Sequence, residues 1–158
     1  MPHQLRNVLA VVAGFAVGSA VNMALITLGP SLIPPPAGAD LSNAEGLRRA
    51  MPLFQPRHFV MPFLAHALGT LAGAMATYMI AATYRVQLAY LIGALFLCGG
   101  VAASFMIPAP AWFIALDLLG AYLPMAWVGI QLGRRMHATT SGARAMSTPG
   151  HVQPSKPD

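Results

Sequence analysis

Four long apolar runs, separated by proline, glycine and arginine, organise the chain between residues 8 and 132. They cover Val8 to Leu28, Val60 to Ala81, Leu88 to Ile107 and Ala111 to Leu132. Each has about the 20 residues that an α-helix needs to cross a ~30 Å hydrocarbon layer, and unpaired backbone is costly in lipid, so each reads as a spanning helix. The second and third runs are followed by short links, one around Arg85 and the other the Pro108 to Pro110 turn, which make consecutive helices antiparallel neighbours. The expected fold is all-α: an antiparallel four-helix transmembrane bundle over 1–133, with an outer loop at 29–59 and a disordered cytoplasmic tail at 134–158.

Composition supports this class. Of 158 residues, 56% are hydrophobic and 8% charged, against roughly a quarter charged in soluble domains. The lipid bilayer is therefore the first partner. The net charge of +5 comes from scattered basic residues with no stripe and no interleaved aromatics, which argues against nucleic acid. One cysteine, Cys98, excludes an internal disulfide, a cysteine zinc cage and an internal thiol redox pair. It reads as a small buried hydrophobe.

Lys and Arg near the span ends set the orientation. Arg6, Arg85, Arg134, Arg135, Arg144 and Lys156 lie on the side of the termini, whereas Arg48, Arg49 and Arg57 lie on the other. Both termini are expected in the cytoplasm, with Trp112 and Phe113 in an outer aromatic belt. The basic start and small residues Gly18 and Ala20 also have the form of a cleavable signal peptide, but the apolar run continues to Leu28 and is long enough to span.

In the outer loop, the prolines of "LIPPPAGAD" predict a stiff extended segment. After it, "SNAEGLRRAMP" offers Ser42 and Glu45 as a capping box and Pro52 as a stop. A helix there would lie on the membrane surface with Leu47, Met51 and Phe54 inward and Arg48 and Arg49 toward headgroups, either as a connector or as a cover over what lies beneath. The tail is rich in Ser, Thr, Gly and Pro, and its His137 and His151 are too isolated to hold a metal.

Counting inward from the outer end of each span places Asn22, His66 and Asp117 at one depth, about 9 Å below the boundary at ~1.5 Å per residue. An ionisable group there is costly unless paired or wetted, so the three are expected to meet in the bundle interior. Each lies on a stripe of small residues: Gly14, Gly18 and Asn22; His66, Gly69 or Thr70, Gly73 and Thr77; Asp117, Gly120 or Ala121, and Pro124. Such stripes let helices approach closely in lipid. Gly99 and Gly100 offer the third helix the same opportunity. Pro124 leaves the Gly120 carbonyl without a donor and should kink the fourth helix, with Tyr122 or a water as the replacement partner. His66-x-x-Gly69 and Asp117-x-x-Gly120, each after a proline, faintly suggest a duplicated hairpin, although so few matches also arise by chance.

No cofactor and no metal site is expected. Met75 and Met79 have soft thioethers at helical spacing but read as packing, and one intramembrane histidine does not supply a haem pair. Ser104 and His66 are the nearest nucleophile and base, without a supporting motif, so the chain does not read as an enzyme.

The segments "HFVMPFLAHALGTLAGA" and "IPAPAWFIALDLLGAYLPMAW" resemble small four-span bacterial inner-membrane proteins without an assigned activity. The resemblance covers most of residues 5 to 133 and implies a bacterial inner-membrane setting and four helices. No site residue is carried over from it. The leading functional expectation is an accessory or scaffolding subunit, or a homo-oligomer, acting by helix association through Gly14/Gly18, Gly69/Gly73 and Gly129/Gly133. The alternative is a small transporter or channel that uses the His66 and Asp117 layer.

Overall fold

The computed structural model describes residues 1–107 and 109–146. Helix α1 spans His3–Leu32, α2 Ala44–Ala50, α3 Val60–Ile80, α4 Arg85–Met106, α5 Ala111–Gly120 and α6 Leu123–Met146, with 3₁₀ turns at Met51–Leu53 and Pro56–Phe59. No strand occurs among the described residues. The stretches His3–Leu32, Pro56–Ile80, Arg85–Met106 and Ala111–Ala138 are long and apolar enough to cross a membrane. The chain is thus a multi-pass integral membrane protein built as an all-helical bundle.

The long third helix is the centre of the bundle, packed against α1, α4 and α6. Small residues make this packing close. A methyl group placed on Gly73 would sit 2.7 Å from the Gly14 carbonyl oxygen, and one on Gly18 would sit 2.7 Å from that of Gly69. The two glycine pairs therefore interlock backbone to backbone. Alongside them, the fully buried Thr77 donates its hydroxyl to the Ala10 carbonyl at 3.2 Å. Gly129 brings α6 to within 2.5 Å, measured from an added methyl, of the Leu71 carbonyl, and Gly133 faces the Tyr78 ring. All three stripes expected to serve association thus close on a neighbouring helix of the same chain.

The terminal side of the bundle is stitched by hydrogen bonds that the sequence did not foretell. Asn7 Oδ1 accepts from the amides of Ala82 and Thr83 at 3.0 and 3.2 Å, and its Nδ2 donates to the Thr83 hydroxyl at 2.8 Å. Arg6 donates to the Ile80 carbonyl at 2.7 Å, and Arg85 to that of Ala81 at 2.9 Å. These cations satisfy carbonyls at the C-terminal end of α3, where the helix dipole is negative.

Several element boundaries differ from the expectation. The first helix runs four residues past Leu28 with Pro30 inside it. So close to the helix end, the proline removes a single bond, to the Ile26 carbonyl, and Ile33 still donates to Gly29 at 2.8 Å. The cap of α2 is shifted by one residue: Asn43, not Ser42, accepts from Gly46 at 2.8 Å, while Ser42 donates to Asp40 and Glu45 pairs with Arg49 at 3.1 Å. Asn43→Ala should destabilise α2 by ~1 kcal/mol. Amide exchange over residues 44–50 is then expected to rise about fivefold; unchanged exchange would show that the cap does not hold the helix.

The tail expected to be disordered from residue 134 instead continues α6 to Met146. Its Ala, Arg and Met residues are good helix formers, and propagating an existing helix avoids the nucleation cost. Residues 147–158 of that expected tail lie outside the described residues, as does His151. Phe113 is buried against Phe59, with ring centroids 4.7 Å apart, and not in an aromatic belt, because the outer loop folds over it. Cys98 is exposed on α4, not buried, since that helix turns much of its surface outward.

Candidate functional site

The fourth span is interrupted. Its α5 part ends at Gly120, α6 starts at Leu123, and Ala121 and Tyr122 form a joint between them, with Pro124 at the second position of α6. The missing proline donor accounts for a break at this place. The joint changes the direction of Tyr122 and brings its side chain back toward α5. Its hydroxyl donates to Asp117 Oδ2 at 3.0 Å instead of serving the Gly120 carbonyl. An added methyl on Gly100 would collide with that hydroxyl, so the absence of a side chain on α4 makes room for it. A methyl added to Gly99 would meet nothing within 4 Å, so that glycine plays no such part. Gly120 is not at a tight crossing either, since a methyl there would make ordinary contact with Phe63 at 3.4 Å.

Asp117 is 5% exposed and receives a second donor. His66 Nδ1 lies 2.9 Å from both carboxylate oxygens. Because the carboxylate only accepts, Nδ1 carries the proton in this arrangement, whether the ring is neutral or cationic. The His66 and Tyr122 rings are stacked, with centroids 5.8 Å apart, and Thr70 donates to the His66 carbonyl at 2.8 Å. Three elements therefore hold one carboxylate: α3 through His66, α5 through the carboxylate's own backbone, and the α5–α6 joint through Tyr122.

Asn22 does not join this pair. It lies beside Gly69, whose added methyl would be 3.0 Å from its Cβ, and its buried Oδ1 has no hydrogen-bond partner. A cavity of about 220 Å³ separates the groups, lined by Asn22, His66, Thr70, Phe96, Gly99 and Tyr122 among others. The structure thus joins two members of the expected cluster directly and places the third across a small space lined by both polar and apolar groups.

A second cavity of about 300 Å³ lies on the α2 side of the pair. Its floor includes His66 and Asp117, its walls include Phe59 and Phe113, and Leu47, Met51 and Phe54 roof it. The outer-loop segment therefore covers the polar layer, and Arg48 ties it to the end of α4 by donating to the Met106 carbonyl at 3.4 Å. His58 also lines this cavity. Its Nδ1 accepts from the Gln55 amide at 2.8 Å, which leaves the proton on Nε2, and that atom is buried without a partner. Both buried side-chain atoms without partners among the described residues, on Asn22 and His58, belong to residues that line these cavities. Sequence reasoning overlooked His58 because it lies in the loop, outside the spans where depth can be counted.

The site has other limits. No group of three or more metal-ligating His, Cys, Asp or Glu side chains occurs among the described residues. Ser104 lines the larger cavity, but its hydroxyl donates to its own helix at the Val101 carbonyl, 2.7 Å away. A hydrogen-bonded acid and imidazole beside an apolar chamber can hold, release and share a proton in a low-dielectric setting. Comparison with protein-family models, with curated proteins and with solved structures gave no match to this chain.

Proposed function

We propose that the chain is a small, non-enzymatic transporter of the bacterial inner membrane, in which proton occupancy of the His66–Asp117 pair is coupled to an apolar solute in the chamber under α2. One observation carries the reading: the pair forms the floor of a roofed chamber and is not sealed in a dry helix seam. Two features support it. The span that carries Asp117 is broken next to that residue, as in the discontinuous helices that form intramembrane binding sites. The Asn22 amide oxygen faces no partner, which suits a site completed by water or a ligand. The basic residues on the terminal side favour cytoplasmic termini and an outward-facing α2. Association with a scaffold partner or a second copy is the weaker reading, because the glycine stripes that suggested it are filled within one chain.

Vesicles containing the protein, with an imposed pH gradient and a pH-sensitive dye, test the proposal. Apolar amines, alcohols and acids are added one at a time. At least one class should drive proton movement that disappears in Asp117→Asn. If no class moves protons beyond protein-free vesicles, the transport reading is overturned.

A further inference from the structure

Building on the reading that His66 and Asp117 form the coupling site, we infer that the solute is an apolar monovalent cation of the substituted-ammonium type, held between Asp117 and the aromatic wall of the chamber. The argument starts from charge. Within the apolar runs 8–28, 60–81, 88–107 and 111–132, Asp117 is the one Asp, Glu, Lys or Arg. Arg48, Arg49 and Arg57 do not line the chamber. A buried carboxylate without a positive partner is strongly unfavourable, so the site holds either a proton shared with His66 or a cation brought in from outside. An anionic solute would find no fixed positive side chain there.

The wall has matching chemistry. Phe54, Phe59 and Phe113 all line the chamber, and the Phe59 ring lies 5.9 Å from that of Phe54 and 4.7 Å from that of Phe113. Aromatic faces attract alkylammonium groups through the ring quadrupole, more strongly when water is excluded. A volume of about 300 Å³ suits a small organic cation. The nearby Asn22 oxygen, an acceptor without a donor, adds partial negative charge on the far side of His66.

Proton and cation then exclude each other, because both neutralise the same carboxylate. The titratable groups around the chamber are His66, Asp117, Tyr122 from the α5–α6 joint and His58 from the 3₁₀ turn. The other lining positions from α1, α2 and α4 include Asn22, Ile26, Leu47, Gly100 and Ser104, and none of these five titrates. A proton on His66 or on His58 acts in the same direction, against the cation. One proton released per bound cation makes the affinity rise about tenfold per pH unit while the site still carries that proton.

The test uses benzyltrimethylammonium, a permanent cation, and neopentylbenzene, its uncharged isostere, with the purified full-length protein. The cation should bind more tightly as pH rises, release about one proton, and lose about tenfold or more in affinity in Asp117→Asn. The isostere should respond to neither pH nor that substitution. Leu47→Arg keeps the carboxylate and places a like charge on the roof, so it should weaken the cation alone and serves if Asp117→Asn does not fold. Equal binding of both probes, indifferent to pH and to Leu47→Arg, overturns the cation assignment, as does failure of the cation to bind. Should alcohols or acids still drive Asp117-dependent proton movement in vesicles, the transport reading survives that loss. Conversely, cation binding with proton release but no solute-driven proton movement would retain the site and sink transport.

Discussion

Gly73→Leu is expected to unfold the α1–α3 contact and lower the thermal midpoint in mild detergent more than any substitution on the outward faces of the spans. The first added carbon would lie 2.7 Å from the Gly14 carbonyl oxygen, 3.1 Å from Ile92 Cγ2 and 3.3 Å from the Gly18 Cα. Two of these neighbours are backbone, so no rotamer change relieves the overlap and α1 has to move away. Moving it breaks the Thr77 to Ala10 hydrogen bond in the same seam. Overpacking of this kind costs about 1–3 kcal/mol or more. At roughly 2–4 °C per kcal/mol for a chain of this size, a midpoint drop of several degrees is expected. The experiment also discriminates between uses of the stripe. An unchanged midpoint accompanied by dissociation of a dimer would mean that these glycines serve contact between chains.

Asp117 gives the second large effect, and two substitutions separate its roles. In Asp117→Ala, the His66 Nδ1 proton and the Tyr122 hydroxyl both lose their acceptor in a buried setting. Removing one partner of a buried ionic pair destabilises by about 3–5 kcal/mol, so little folded protein is expected. Asp117→Asn retains the shape and an oxygen that can accept from Tyr122, while the neutral imidazole can switch tautomer to accept from the new amide. That variant should fold, with a loss of about 1–3 kcal/mol. Having no titrating carboxylate, it should show solute-driven proton movement at the level of protein-free vesicles. A folded Asp117→Asn protein with normal proton movement would assign the pair to architecture alone. Size-exclusion chromatography and thermal melting establish folding before flux is measured.

The polar floor was legible in the sequence because helical rise is nearly constant: six residues in from each boundary placed His66 and Asp117 at the same level, and they are hydrogen bonded. Spacing of four likewise foretold that Gly14, Gly18, Gly69 and Gly73 would lie at close crossings. It did not say which helix each would meet. Asn22 shows the limit of the depth argument, since equal level does not fix rotation, and the residue ends across a cavity from the pair. The roof was less legible. Whether Leu47, Met51 and Phe54 cover the chamber or lie on lipid depends on contacts between a short loop helix and residues far along the chain, and a pattern within eight positions does not encode these. Asn43 displaced Ser42 as the cap for a local reason: Asp40 engages the Ser42 hydroxyl at 2.6 Å and draws it away from the helix.

The two halves of the fourth span differ in how firmly they are anchored. Gly129 and Gly133 press α6 against α3, whereas α5 is a ten-residue rod held by its aromatic start, by Asp117 and by Leu118 against the Ala67, Ala121 and Tyr122 cluster. A tilt of this rod about the buried Ala121 and Tyr122 joint would carry Phe113 and Asp117 together while the clamped half stays still. Any such tilt would change the separation of the carboxylate from His66 and the shape of the Phe113 wall in one stroke, because both side chains ride on the same ten-residue rod.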